Sequence, residues 1–398
     1  MRPFDERRVL LVVSGGIAAY KVPGLVRRLQ EAGAVVDVVL TESARNFVGP
    51  ATFEALTGRT VPADLWETPL AHVELGRACD VVVVAPATAN VLARMAAGLA
   101  DDLATTTLLA ADAPVVVSPA MNQRMWRHPA TRRNVERLIQ DGVRVLEPGH
   151  GALAEGEVGP GRLPEPEELL AEIGRVLETD SKLGGRKVVV TAGPTRAHLD
   201  PVRVLTNRST GRMGYALAAE AWRRGARVVL ISGPGSVTPP YGPRLVRVDD
   251  APQMLEALRE ELDGADLLLM AAAVADFRPV EGADRKLKKS GGALEIRLEP
   301  GPDLLGETRA IRRDRGIATL GFALETHDGL ANARRKLEEK ELDWIALNEA
   351  GRDDAGFESE TNRVSLLDRS GGVNELPLLH KREVAERILD HIESGLEG

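Results

Sequence analysis

One cysteine, Cys79, is all that the 398-residue chain contains. A single thiol excludes an internal disulfide and suits a reducing compartment, so a cytoplasmic protein is expected. Its place just before the Val81–Val84 run reads as a buried structural thiol rather than a nucleophile. Positive charge is also scarce: 51 Lys and Arg stand against 59 Asp and Glu, a formal net charge of −8. Nucleic-acid and membrane-surface binders need a broad positive field, so neither partner is expected. Long apolar runs are missing near the start, because the stretch after the charged Met1–Arg8 breaks at Ser14-Gly15-Gly16. That pattern fits neither a signal peptide nor a membrane span. Low-complexity tracts and internal repeats are absent too.

What is present is a series of short β-branched runs, each followed by a polar loop. Val9–Val13, Val35–Leu40, Val81–Ala85 and Val115–Val117 lead into Ser14-Gly15-Gly16, Thr41-Glu42-Ser43, Pro86–Asn90 and Pro119–Asn122. Such runs read as buried parallel strands, and loops at their carboxyl ends converge on one edge where ligands bind. Helical spacing over Lys21–Ala32 and Ala130–Gln140 completes an α/β unit. Glu147–Glu165, rich in glycine and proline, reads as a flap with no regular element, and Glu167–Glu178 as a closing helix. After a linker at Thr179–Lys187, a second strand–turn–helix series begins. Val188–Thr191, Arg227–Ile231, Asp266–Met270, Ala318–Leu320 and Trp344–Leu347 lead into Ala192–Thr195, Ser232–Gly235, Ala271–Asp276, Gly321-Phe322 and Asn348. The expected fold is therefore α/β: two doubly wound, Rossmann-like or flavodoxin-like parallel-sheet domains over 1–180 (flap 149–163) and 181–398.

In the first half, small residues at Ser14-Gly15-Gly16-Ile17-Ala18 let backbone N–H groups approach an anion at a helix start, which suits a phosphate. The turn lacks the full G-x-G-x-x-G fingerprint, so a mononucleotide such as FMN fits better than NAD. Pro86–Asn90 and Pro119-Ala-Met-Asn-Gln-Arg-Met-Trp126, together with His72 in His-Val-Glu-Leu-Gly, resemble the flavin-containing cysteine decarboxylases. For Met125 and Trp126 the simpler reading is packing beneath the loop, and for a lone His72 it is a surface or capping histidine. The resemblance implies that Ser14–Ala18, Ser43, Ala87, Thr88, Ala89 and Asn90 hold FMN. It implies further that His72 acts in thiol oxidation and decarboxylation and that Asn122 holds the substrate carboxylate. The chemistry is coherent, since thiol oxidation by flavin provides an electron sink for the carbanion left by CO₂. A neutral-range imidazole suits the proton handling.

One departure stands out: Glu155 occupies the flap position where that family has a proton-donating cysteine. Glu155 taking over as the acid would require a carboxyl of ordinary pKa near 4.3 to stay protonated at pH 7, costing about 3.7 kcal/mol. Burial can supply that. The remaining outcomes are release of the unreduced enethiol, or an inactive first half.

In the second half, Thr191-Ala-Gly-Pro-Thr-Arg196, Asn207-Arg-Ser-Thr-Gly-Arg-Met-Gly214, Ala271–Asp276 and Lys286-Leu-Lys-Lys289 occur in order. Separately they are a turn, a polar loop, a strand end and a solvated basic run. Together they resemble the ligase part of the bifunctional coenzyme A biosynthetic enzymes, phosphopantothenoylcysteine decarboxylase fused to phosphopantothenate–cysteine ligase, a likeness covering nearly the whole chain. A carboxylate must be activated before an amine can attack it. The resemblance implies CTP as co-substrate, an acyl-cytidylate, and Mg²⁺ bridging phosphate oxygens. Asn207 would stabilise that intermediate, and Lys286 would assist its formation or aminolysis. Ala271, Ala272, Asp276, Lys286, Pro302, Asp303, Phe322, Lys336 and Lys340 would form the nucleotide site. Gly211 and Gly214 read as permitting close approach to a phosphate. Lys336 and Lys340, four apart on one helical face, would grip the triphosphate, although an ordinary charged helix over Arg334–Glu341 is the competing view. Gly301 stands where the family often has asparagine, and metal ligands are not assignable. The small-molecule substrates implied are 4′-phosphopantothenate, cysteine and CTP, and the assembly a homo-oligomer, trimeric through the flavin half and dimeric through the ligase half. The readings that stay open are an active ligase with an oxidative-only or inactive flavoprotein half, a non-catalytic flavin-binding scaffold, and a dinucleotide dehydrogenase.

Overall fold

Valine-rich runs set the first sheet. In the computed structural model, which describes residues 3–67, 69–154, 156–288, 294–325, 327–349 and 359–396, the chain divides into two units, Met1–Thr179 and Asp180–Gly398. The first unit runs β1 (Arg8–Val13), α1 (Val22–Glu31), β2 (Val35–Leu40), α2 (Pro50–Thr57), α3 (Ala71–Ala78), β3 (Val81–Ala87), α4 (Ala89–Ala97) and α5 (Leu103–Ala110). It continues through β4 (Val115–Pro119), α6 (Gln123–Arg127), α7 (Pro129–Gln140), β5 (Arg144–Val145), β6 (Gly149–Ala152), β7 (Val158–Arg162) and α8 (Pro166–Leu177). The sheet is parallel in the order β2-β1-β3-β4-β5. Alternation of side chains gives each strand two buried faces. Val9, Leu11 and Val13 pack with Leu25, Leu29 and Ile173, while Leu10 and Val12 pack with Leu92, Leu103 and Trp126.

The flap differs from the sequence expectation of an irregular segment, since β6 and β7 pair as an antiparallel hairpin. Glycine weakens a strand on propensity alone, so the pairing is invisible in composition. Here it is upheld by docking: Met121 N–H donates to Gly161 O (3.0 Å). Cys79 is half-buried where a buried thiol is expected, its Sγ donating to Gly76 O at 3.4 Å.

The second unit contains β8 (Lys187–Ala192), β9 (Arg196–His198), β10 (Val204–Thr206), α9 (Arg212–Arg223), β11 (Arg227–Ser232), β12 (Arg244–Arg247), α10 (Ala251–Glu261) and β13 (Leu267–Met270). Then come β14 (Phe277–Pro279), β15 (Leu298–Pro300), α11 (Leu304–Glu307), α12 (Arg309–Arg315), β16 (Ala318–Glu325), α13 (Gly329–Glu339) and β17 (Trp344–Glu349). The chain ends with β18 (Thr361–Asn362), β19 (Val364–Asp368), β20 (Val373–Glu375), β21 (Leu379–His380) and α14 (Lys381–Gly395). The main sheet has the order β12-β11-β8-β13-β16-β17-β19-β20. It is parallel through β17, but β19 and β20 add an antiparallel edge to the expected all-parallel sheet. A tight turn after Asp368 makes the β19–β20 reversal possible.

Two expected loops are also strand. Gly321 and Phe322 lie inside β16, and Asn348 inside β17. Gly321 marks close packing, not a turn: a Cβ there would meet Leu342 Cδ1 at 2.6 Å.

α14 is held to α9 by charge. Arg224, almost fully buried, pairs with Glu220 (2.8 Å), Asp390 (2.8 Å) and Glu393 (3.2 Å), and donates to Glu386 O (3.0 Å). Removing one partner of a buried ionic cluster leaves uncompensated charge. Arg224→Ala is therefore expected to cost about 3–5 kcal/mol, read as a lower urea midpoint for the full chain. A loss under about 1 kcal/mol, the range of an exposed pair, would show that the cluster does not hold these helices.

Candidate functional site

In the first unit the strand order reverses between β1 and β3, and in this topology a crevice opens at the carboxyl ends of those two strands. Three loops meet there. Ser14, fully buried, donates from Oγ to Pro86 O (2.7 Å) and accepts from Thr88 N–H (3.0 Å). A Cβ on Gly15 would lie 2.3 Å from Ser43 Cβ, so the first and second loops touch through the missing side chain. Gly16 opens the short helix Ile17–Lys21 without any side-chain cap, leaving N–H groups of the first turn for a ligand. Ala87 ends β3, Thr88 caps α4 by accepting from Val91 N–H (3.4 Å), and Ala89 and Asn90 form its first turn. These residues fit a phosphate-bearing cofactor through the uncapped helix start after Gly16, which lies beside Thr88, while Gly15 serves the contact with Ser43.

The fourth loop is clamped on both sides. Ala120 N–H donates to Ala87 O (3.1 Å), and Met121 is bonded to Gly161 of β7. Glu157 accepts from Gln123 Nε2 (2.7 Å) and Arg124 Nη2 (2.8 Å), tying the flap to α6. The Gln123 hydrogen bond and the Arg124 charge hold the Glu157 carboxyl below its usual pKa against a small desolvation. Asn122 caps α6, accepting from Arg124 N–H at 2.8 Å. Trp126 is buried as expected. Met125, however, is 48% exposed, correcting the expectation that it packs under the loop. Consecutive residues on a helix cannot share a face. His72 is half-buried near the start of α3, and its Nδ1 is buried without a hydrogen-bond partner. It is thus neither a surface nor a capping histidine. Glu155 lies outside the described residues.

In the second unit, Thr191 and Thr195 knit the β8 loop to the β13 loop. Their hydroxyls accept from Ala272 N–H (3.2 Å) and Ala275 N–H (2.8 Å), while Ala273 N–H donates to Gly193 O (2.9 Å). Asn207 Nδ2 donates to Ala273 O (3.1 Å) and Val274 O (2.9 Å), so Asn207 and Ala271–Asp276 form one surface. Gly301 N–H joins it by donating to Asp276 O (2.7 Å), which brings Pro302 and Asp303 alongside. Lys336 donates to Phe322 O (2.8 Å), and Lys340 pairs with Asp303, which caps α11. Burial pushes the Lys336 ammonium below its usual pKa, opposed by the Glu325 and Asp276 carboxylates. Asp303 is pushed up by burial, but the Lys340 hydrogen bond and the Gly306 N–H outweigh that and hold it low.

The glycines tell a different story from the expected phosphate approach. A Cβ on Gly214 would meet Ala192 Cβ (2.6 Å) and Thr191 O (2.9 Å), and one on Gly211, at φ 79°, would meet Gly193 N (3.2 Å). Both glycines serve helix-to-strand and loop-to-loop packing within the chain. Lys286 is exposed and is attached instead to the β9–β10 turn through its neighbour Leu287. Among the described residues no cluster of three or more His, Cys, Asp or Glu could hold a metal. Gln123 and Arg124, inside the Pro119–Trp126 motif, and Glu157 in the flap carry no individual role from sequence, nor does Asp200, which the Asp-Pro turn signal could have flagged.

The fold and these loops define a class: a two-unit α/β protein whose parallel strands deliver polar, glycine-containing loops to the carboxyl edge of each sheet. Residues 2–178 match the family described as Flavoprotein, and residues 183–396 match the DNA/pantothenate metabolism flavoprotein C-terminal domain. The coenzyme A biosynthesis bifunctional protein CoaBC of Bacillus subtilis (strain 168) is 46% identical over 395 residues, 98% of this chain and 97% of that protein. Its counterpart in Mycobacterium tuberculosis (strain H37Rv) is 45% identical over 408 residues, with 98% and 97% covered. A solved C-terminal domain of a coenzyme A biosynthesis bifunctional protein CoaBC is 38% identical, covering 54% of this chain and 96% of that one, at a TM-score of 0.46. The chain belongs to the family of bifunctional coenzyme A biosynthesis proteins, with ligase and decarboxylase activities.

Contact between the Gly15 and Ser43 loops is testable by adding one methyl. Gly15→Ala is expected to cost about 1–3 kcal/mol by overpacking, read as a lower thermal midpoint. Gly24→Ala, on α1 with only Pro166 Cγ at 3.9 Å, should instead leave the midpoint unchanged or raise it.

Proposed function

We propose that unit Asp180–Gly398 joins cysteine to 4′-phosphopantothenate using CTP, and that unit Met1–Thr179 decarboxylates the product to 4′-phosphopantetheine with FMN. The observation that carries this reading is that one chain presents two separate sheets, each with its motif loops bonded to one another beyond the strand ends. In the ligase unit Asn207 and the Ala271–Asp276 backbone line one wall, and Lys336, Lys340 and Asp303 the other. Cationic groups there stabilise the triphosphate and the departing pyrophosphate. Mg²⁺ would neutralise phosphate charge; among the described residues no group of three or more His, Cys, Asp or Glu could hold it. Lys286 assists formation or aminolysis of the acyl-cytidylate.

In the flavin unit, Ser14–Ala18 take the phosphate at the Ile17–Lys21 helix start, and Ser43 with Ala87–Asn90 line the rest of the crevice. FMN would supply two-electron oxidation of the thiol there, leaving a thiocarbonyl that takes up the electron pair released with CO₂. Asn122, clamped between the β3 loop and the flap, holds the substrate carboxylate, and His72 moves the proton at the thiol. The partnerless Nδ1 of His72 supports that role, because a buried ring nitrogen without a partner is costly unless a substrate supplies one. Glu155 serves as the final proton donor. Exposed Ile17, Tyr20, Trp66 and Leu70 support self-association of this unit, as a trimer, with the ligase unit dimeric. No described helix is long and apolar enough to cross a membrane, and a cytoplasmic location is proposed.

Purified protein given 4′-phosphopantothenate, cysteine, CTP and Mg²⁺ is expected to release pyrophosphate and CMP and to yield 4′-phosphopantetheine by mass analysis. His72→Asn should stop at 4′-phosphopantothenoylcysteine, and Asn207→Ala should abolish its formation. Protein that neither retains FMN nor releases pyrophosphate would overturn the reading.

A further inference from the structure

Lys286 is exposed and sits in a stretch without regular secondary structure. A long, flexible ammonium side chain in such a stretch has no intrinsic reason to stay at one place. The backbone beside it, however, is tied down on both sides. Leu287 N–H donates to Asp200 Oδ2 (3.1 Å), and Leu287 O accepts from Arg203 Nη1 (3.1 Å). Three residues before Lys286, Ala283 N–H donates to Leu199 O (3.0 Å). All three bonds reach the turn between β9 and β10, more than 80 residues earlier in the chain.

Asp200 is the centre of this arrangement, and its side chain is fully buried. Oδ1 accepts from Val202 N–H (2.7 Å) and Arg203 N–H (2.8 Å), closing the turn locally. Oδ2 is left for Leu287 N–H and for Arg203 Nη1 (2.7 Å). A buried carboxylate is tolerated only when its lone pairs are satisfied, and here every oxygen is used. Burial raises its pKa, but the N–H donors of Val202, Leu287 and Arg203 and the Arg203 charge bring it down to about 2. It stays ionised throughout the working range.

The division of labour between the two oxygens is informative. An asparagine would suffice for the turn, since an Asx turn needs one acceptor. Only a carboxylate also provides a second acceptor facing Leu287 and Arg203.

We propose that Asp200 is a positioning residue for ligation, acting through Lys286 by holding the adjacent Leu287 backbone against the β9–β10 turn. This rests on the ligase reading above and on the role given there to Lys286.

The test is Asp200→Asn in the full-length protein. The amide keeps the turn through its oxygen but sets an NH₂ group against Leu287 N–H and Arg203. Pyrophosphate release is expected to fall tenfold or more in kcat, with KM for 4′-phosphopantothenate within twofold. Amide exchange at Leu287 should accelerate at least tenfold, while decarboxylation of supplied 4′-phosphopantothenoylcysteine is unchanged. In a Lys286→Ala background, Asp200→Asn should change kcat by less than twofold, since both substitutions remove the same contribution. Full ligation by Asp200→Asn, undisturbed protection of Leu287, or effects of the two substitutions that multiply would each overturn the proposal. Wild-type protein that releases no pyrophosphate would overturn the ligase reading itself, and the role of Asp200 with it. Active wild type alongside an unaffected variant overturns only the latter.

Discussion

Parallel pairing is the constraint from which the rest follows. Two parallel strands cannot be joined by a hairpin, so each connection crosses over, through a helix everywhere but between β11 and β12, and every parallel strand ends at the same edge of its sheet. In the first unit this carries the residues after Val13, Leu40, Ala87 and Pro119 to a common edge, although they lie up to about a hundred positions apart. In the second it does the same for the residues after Thr191 and Met270, while Asn207 and Asp303 are brought to them by the antiparallel pairs β9–β10 and β14–β15. The chemistry-bearing residues need not be near one another in the chain; they need only follow a strand.

Close approach then converts that convergence into a site. At Gly15 the absent side chain lets the first loop touch Ser43, and at Gly214 it lets α9 settle onto β8. Ser14 and Thr191 replace missing backbone partners with hydroxyls, bonding the neighbouring loops where strand pairing has ended. The result is a rim whose polar groups are satisfied by one another, with a few left over. The uncapped helix start at Gly16 supplies these. Lys336 lies in the same economy of charge, since its burial is tolerated through the Phe322 carbonyl and nearby carboxylates.

Much of this was legible beforehand where the signal is local. The β-branched runs announce strands within a residue or two except at β16, which runs five residues past the expected end at Leu320, and the closing helix α8 is marked by its amphipathic spacing. The antiparallel β19–β20 edge and the β6–β7 hairpin were not legible, because the first is fixed by docking of β19 on β17 and the second is built on glycines with little strand preference. Met125 and Trp126 look alike in composition, and only the direction of one short helix separates the exposed from the buried. The glycines at 211 and 214 show the same limit: the need for a small residue can be read, but what occupies the space cannot.

By itself, the sequence determined the α/β alternation, the break near residue 180, the loops that carry polar and glycine residues, and the family these motifs resemble. Periodicity and turn chemistry are local properties, and that is why they survive in one dimension. The tertiary structure alone decided which loops touch, which cations are tied to protein acceptors, and that a buried aspartate in one turn grips the backbone beside a distant lysine. Those are matters of distance between groups far apart in the chain, and only folding sets such distances.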